Sequence, residues 1–341
     1  MNAKNLGWQE YEYDGPTGRR PYFVYTPPGY QVGTAVPLIV MLHGCRQTAA
    51  VFAAGTQMNR LADQYNFIVV YPQQRSRHNR NTCWNWFNPA NQSRGSGEPA
   101  IIAGIVQTIE QDAAQWTIDT RRIYVAGISA GAAMAVILGA TYPDIFAAIG
   151  VHSGGEYQAA ATLIGALKTM LQGGPNPVKQ GQIAYAAMGV FARTVPIIVF
   201  HGTGDYIVNP VNGDQVVQQW MQTNNLASNG AYRADFNHPT STTTGQVPDG
   251  HSYKLYRWHD HNGREIQEYW KVTGMGHGWS GGSSSGSYTD LQGPSASEAI
   301  YKFFMNHHIE KDRGQPSFWR KVGDSIRKWW ISGIEVTTPH S

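Results

Sequence analysis

The segment Gly127-Ile128-Ser129-Ala130-Gly131 sets a serine between two glycines in a G-x-S-x-G spacing. Residues 121–126 before it read as a buried strand, and residues 132–138 after it read as a helix. A strand that turns sharply into a helix at a serine makes a nucleophile elbow, with the hydroxyl pushed beyond the strand end. A serine hydroxyl is a weak nucleophile and needs a base, which in turn needs a group to orient it. Residues 194–200 are a short apolar run that ends in His201-Gly202-Thr203-Gly204-Asp205, so Asp205 lies just past a buried strand. The other reading of Asp205 is a turn residue among glycines. Asp214, Asp249 and Asp260 follow no strand as clear. Among twelve histidines, His277 sits on the glycine-rich loop 273–282, between the last strand and the last helix. His251, His259 and His261 lie close to a hairpin turn, and His201 reads as a packed neighbour of Asp205. The expected roles are Ser129 as nucleophile, His277 as base and Asp205 as the orienting acid, the machinery of acyl transfer. Residues 37–42 are another apolar run and lead into His43-Gly44-Cys45. The backbone amides of Cys45 and Ala130 are the expected oxyanion donors, and one such donor typically contributes about 3 kcal/mol to the transition state.

These side chains need a scaffold that brings distant segments to one edge. Residues 8–28 read as two antiparallel edge strands. Strands near 37–42, 67–71, 121–127, 146–151, 196–201 and 266–272 alternate with helices, as a mostly parallel sheet with helices on both faces requires. Tyr253–Trp258 and 265–272 form a hairpin around Asn262-Gly263. A helix covers 295–307. Residues 154–193 read as an insertion with two helical stretches, either a cap or plain scaffold. Residues 227–251 are polar and read as a long surface loop. The expected organisation is a catalytic domain over 1–310 and a separate tail over 311–341.

The chain resembles the poly(3-hydroxybutyrate) depolymerase family of esterases, related to feruloyl and acetylxylan esterases. The resemblance rests on Leu42-His43-Gly44-Cys45, Cys83-Trp84-Asn85-Trp86-Phe87, Arg94-Gly95-Ser96-Gly97-Glu98-Pro99 and the serine pentapeptide. It continues through Gly173-Gly174-Pro175, residues 201–205, Asn209-Pro210-Val211-Asn212-Gly213 and Gly276-His277-Gly278-Trp279, and so spans about residues 20–308. It implies an α/β-hydrolase that cleaves esters of short hydroxyacyl units, with no metal or organic cofactor. Feruloyl, acetylxylan and aromatic-polyester esterases would use the same triad. A reading of another class is a non-catalytic binder of polymer granules, against which the complete Ser, Asp and His set argues. Trp84, Trp86 and Trp279 are the expected substrate contacts; core packing is the alternative for each.

Composition narrows the partners. Only 14% of residues are charged and the formal net charge is +3, which excludes a strong nucleic-acid footprint. No run approaches the ~20 apolar residues of a membrane span. The first residues carry no apolar stretch of signal-peptide type. The glycine-rich, lysine-poor composition favours an extracellular protein, with a cytoplasmic one as the alternative. Cys45 and Cys83 both fall on loops expected at the same end of the sheet, so they are either bridged or two free thiols. In the tail, Phe318, Trp319, Val322, Ile326, Trp329 and Trp330 recur at helical spacing beside Arg320, Lys321, Arg327 and Lys328. Such a helix either adsorbs to a hydrophobic polymer surface or docks on the enzyme body.

Overall fold

The computed structural model describes residues 7–310; the tail, with its amphipathic stripe, lies outside the described residues. One sheet is built from β1 (Gly7–Gly15), β2 (Gly18–Thr26), β3 (Val36–Leu42), β4 (Ile68–Pro72), β5 (Ile118–Ile128), β6 (Ala148–His152), β7 (Ile197–Gly202), β8 (Ser241–Gln246), β9 (Ser252–His259) and β10 (Glu265–Val272). Its order is β1-β2-β4-β3-β5-β6-β7-β10-β9-β8. Strands β4, β3, β5, β6, β7 and β10 run parallel, while β1 and β2 close one edge and β9 and β8 the other with antiparallel pairings.

The apolar run of β3 has no alternation because both of its faces are covered. Leu38, Val40 and Leu42 point to one side, where α3 (Gly97–Gln111), α4 (Ala130–Thr141), α6 (Pro177–Met188) and α7 (Val211–Ala227) supply the packing. Ile39 and Met41 point to the other, against α1 (Ala49–Thr56), α2 (Met58–Tyr65) and α8 (Ala296–Met305). Helix α5 (Leu163–Gln172) begins after Thr162, whose hydroxyl accepts the Gly165 amide at 3.0 Å. A two-residue parallel pair, β11 (Trp279–Ser280) and β12 (Thr289–Asp290), folds the loop after β10.

The polar stretch 227–251 is not wholly a loop. Ser241-Thr242-Thr243-Thr244-Gly245-Gln246 is strand β8, paired along β9. It lies at the sheet edge with nearly every side chain in solvent, so it carries no apolar alternation, and the β-branched threonines supply the strand preference. Residues 154–193 contain α5 and α6 and enter the molecule between β6 and β7.

Parallel strands end at the same side of the sheet. The segments that follow β3, β5, β7 and β10 therefore converge there, which brings Cys45, Ser129, Asp205 and His277 to one edge.

Candidate active site

Ser129 follows β5 with φ 57° and ψ −122°, a conformation that L-residues avoid and that aims its side chain out of the strand. Two contacts hold it there. Its amide donates to the His152 carbonyl at 2.9 Å, and its carbonyl accepts the Ala133 amide at 3.0 Å as α4 begins. The two glycines are a steric requirement. A Cβ on Gly127 would lie 2.5 Å from the Gly131 carbonyl carbon, and a Cβ on Gly131 would overlap the Leu42 carbonyl oxygen.

Asp205 and His277 meet across 72 positions of sequence, with Nδ1 of His277 2.7 Å from Oδ2 of Asp205. The other carboxylate oxygen, Oδ1, accepts the amides of Ile207 at 3.0 Å and Val208 at 2.8 Å. A carboxylate has only acceptors, so His277 carries its proton on Nδ1 and leaves Nε2 free to accept one. Burial works to raise the Asp205 carboxyl. The hydrogen bond and charge of His277, with the Val208 amide, outweigh it and hold the group below its ordinary range.

Three more histidines, His201, His152 and His43, lie buried at this end of the sheet, and sequence reasoning gave a place to His201 and His43 but not to His152. His201 donates from Nε2 to the Val208 carbonyl at 2.9 Å; its 3.6 Å separation from Asp205 Oδ2 is too long for a hydrogen bond. It shapes the Asp205 loop and leaves the carboxylate to His277. His152 accepts the Ser280 amide on Nε2 at 3.0 Å and so presents N–H from Nδ1 to the Ser153 hydroxyl at 3.1 Å. Its ring stacks on Trp279 and Phe200 at 5.1 and 5.6 Å. His152 thus links the serine turn, through its carbonyl, to the His277 loop, through its ring. His43 donates from Nδ1 to the Gly44 carbonyl at 2.8 Å and accepts the Gln74 amide on Nε2 at 3.0 Å. Burial pushes His43 down to about 4, and pushes His152 well below and His201 below the ordinary 6.5. All three rings are neutral struts.

Among the described residues the Cys45 amide has no acceptor, and Ala130 is the first residue of α4, where helix amides lack helical partners. Gln47 braces this turn. It accepts the Gly44 amide at 2.8 Å and donates to the Ser287 carbonyl at 2.7 Å, tying the loop after β3 to the loop that carries His277. Cys45 and Cys83 form a disulfide across 38 positions. The loop beyond Cys83 is pinned a second time by the buried Glu98, which accepts the Asn85 amide at 2.7 Å and the Asn85 side chain at 2.8 Å. Removing the disulfide, by Cys45→Ser with Cys83→Ser, is expected to cost about 2–4 kcal/mol of stability. Denaturant melts of the variant and the parent check this; equal midpoints would contradict it.

The cleft beside Ser129 is lined by Cys45, Trp86, Ala130, Ala133, Ser153, Gly154, Gly155, Thr169, Met170, Val208 and Asn212, with a volume of about 40 Å³. Trp86 alone of the three expected tryptophans reaches it. Trp84 has no exposed surface and packs on His43 at 5.6 Å. Trp279 is equally buried, stacked on His152 and edge-on to Phe52, and its indole N–H donates to the Ser297 hydroxyl at 3.0 Å. Both are core residues, enclosed by their neighbours with no face left for a ligand. Among the described residues, no group of three His, Cys, Asp or Glu side chains is placed to hold a metal ion. None of their helices is long and apolar enough to cross a membrane.

Residues 20–240 match the family model described as esterase PHB depolymerase. The chain is 36% identical over 263 residues to poly(3-hydroxyalkanoate) depolymerase C of Paucimonas lemoignei, covering 76% of this chain and 59% of that protein. It therefore spans about three fifths of that relative's length. It is 32% identical over 212 residues to feruloyl esterase B of Neurospora crassa, covering 60% of this chain and 70% of that protein. Among solved structures, an acetyl xylan esterase from Aspergillus awamori superposes with a TM-score of 0.69 at 23% identity, covering 88% of this chain and 99% of that one. The fold is that of the α/β-hydrolases.

Proposed function

We propose that this chain, which belongs to the esterase PHB depolymerase family, is a carboxylic ester hydrolase that cleaves poly- and oligo-(3-hydroxybutyrate) through an acyl-enzyme on Ser129. Ser129 Oγ attacks the ester carbonyl while His277 Nε2 takes its proton. The amides of Cys45 and Ala130 receive the charge that builds on the carbonyl oxygen. The C–O bond then breaks, and His277 returns the proton to the departing alcohol. Water, deprotonated by the same ring, attacks the acyl-enzyme and releases the acid. Asp205 keeps Nδ1 protonated throughout and stabilises the imidazolium. The observation that carries this reading is the 2.7 Å His277–Asp205 pair at the sheet edge where β5 ends in a serine held at φ 57°.

The substrate reading rests on the cleft. Ala133, Met170, Val208 and Trp86 offer apolar contact that suits a short aliphatic acyl unit. Residues 1–310 then form the catalytic domain. The insertion 154–193 acts as its cap, since Thr169 and Met170 come from α5. The disulfide fits an oxidising, extracellular setting. The deciding experiment measures acid release from amorphous poly(3-hydroxybutyrate), methyl ferulate and acetylated xylan with the same enzyme stock. Hydroxybutyrate oligomers should be released fastest; a preference for either of the other esters would move the assignment to that substrate.

A further inference from the structure

A surface helix ordinarily turns its apolar stripe inward. Helix α5 does the reverse: it buries Ala166 and Thr169 and leaves Leu163, Ile164, Leu167 and Leu171 between 54% and 81% exposed. The loop after Asp205 adds Tyr206, 86% exposed, and Ile207, 42% exposed. The two elements are tied together, because the Asn209 amide donates to the Met170 carbonyl at 2.7 Å and the Asn212 side chain donates to the Thr169 carbonyl at 2.9 Å. Contiguous apolar surface of this kind marks a contact site.

We infer that the outer face of α5, with Tyr206 and Ile207, is where the enzyme settles on the surface of a solid aliphatic polyester; this rests on the polyester reading above. Two observations and a steric argument choose that occupant. Thr169 and Met170 of the same helix, and Val208 next to Ile207, line the cleft beside Ser129, so whatever covers this face also lies over the cleft mouth. A second copy of the chain would block the reaction there, whereas a polymer surface delivers the reacting ester to it. The helix carries a single charged side chain, Lys168, which suits an uncharged, water-poor surface rather than a charged partner.

The test compares the full chain with a variant carrying Leu163→Gln, Ile164→Gln, Leu167→Gln and Leu171→Gln. Glutamine keeps helix preference while removing the apolar face. Turnover of soluble p-nitrophenyl butyrate should be unchanged. Binding to poly(3-hydroxybutyrate) particles, read by depletion from solution, should weaken at least about tenfold. Erosion of a cast film should fall with it. The double variant Ile164→Gln with Leu167→Gln gives an intermediate loss and serves if the quadruple variant folds poorly. Adsorption lost in the variant while neither protein erodes the film sinks the substrate assignment and leaves the surface standing. Equal adsorption of variant and parent overturns the inference. So does a parent dimer that becomes a monomer in the variant with adsorption intact. Loss of adsorption only when residues 311–341 are removed also overturns it and gives the role to the tail.

Discussion

Ser129→Ala should lower turnover of a soluble ester by roughly 10⁵- to 10⁶-fold, and His277→Ala should fall about as far. The double variant should be no worse than either single one, because the hydroxyl and the ring perform one step between them. Ser129 lines the cleft and its hydroxyl makes no hydrogen bond among the described residues, so the alanine protein should melt at the parental temperature. Kinetics on p-nitrophenyl butyrate, with a melting curve for each variant, provide the check. Residual activity near wild type in Ser129→Ala would remove the acyl-enzyme mechanism altogether.

Asp205→Asn should cost about 10⁴-fold in kcat while the loop keeps its shape. The local bonds explain why. Oδ1 of Asp205 accepts the amides of Ile207 and Val208, a role that the asparagine carbonyl oxygen can fill. The asparagine NH₂ is then left facing His277 Nδ1. Two donors cannot share that contact, so the ring moves its proton to Nε2 and loses the lone pair that Ser129 needs. Asp205→Ala should be as inactive and less stable, since it also strands the buried Val208 amide and the half-buried Ile207 amide. Turnover and unfolding midpoints of the pair separate the two roles. An active asparagine variant would mean that another carboxylate orients His277.

The residues with the clearest signals in the sequence were those that follow a buried strand. An apolar run that stops at Gly-x-Ser, at His-Gly-Thr-Gly-Asp or at His-Gly-Cys announces both the strand and the loop beyond it. His277 was legible for a related reason, as a glycine-rich interruption between a strand and a helix. What lay beyond reach was the direction in which a loop side chain points. Trp84 and Trp86 are two residues apart on one loop, yet one is fully enclosed and the other lines the cleft. His152 gave no signal because its partners, the Ser129 and Ser280 amides, lie far away in sequence. The face of α5 was hidden too, since its leucines and isoleucine have the periodicity of a packed helix.

The neutral histidine struts set a limit on how long the enzyme works unattended. Every ester it opens leaves a carboxylic acid, so an unbuffered suspension grows sour in proportion to the work done. Between pH 6.5 and about 4 the unfolded chain takes up protons on rings such as His43 that the folded chain keeps bare. Protons therefore draw the molecule towards unfolding as pH falls across that window. On the polyester reading proposed above, a protein built this way would be curtailed by its own product, and its yield from a solid would depend on how quickly acid diffuses away from the particle.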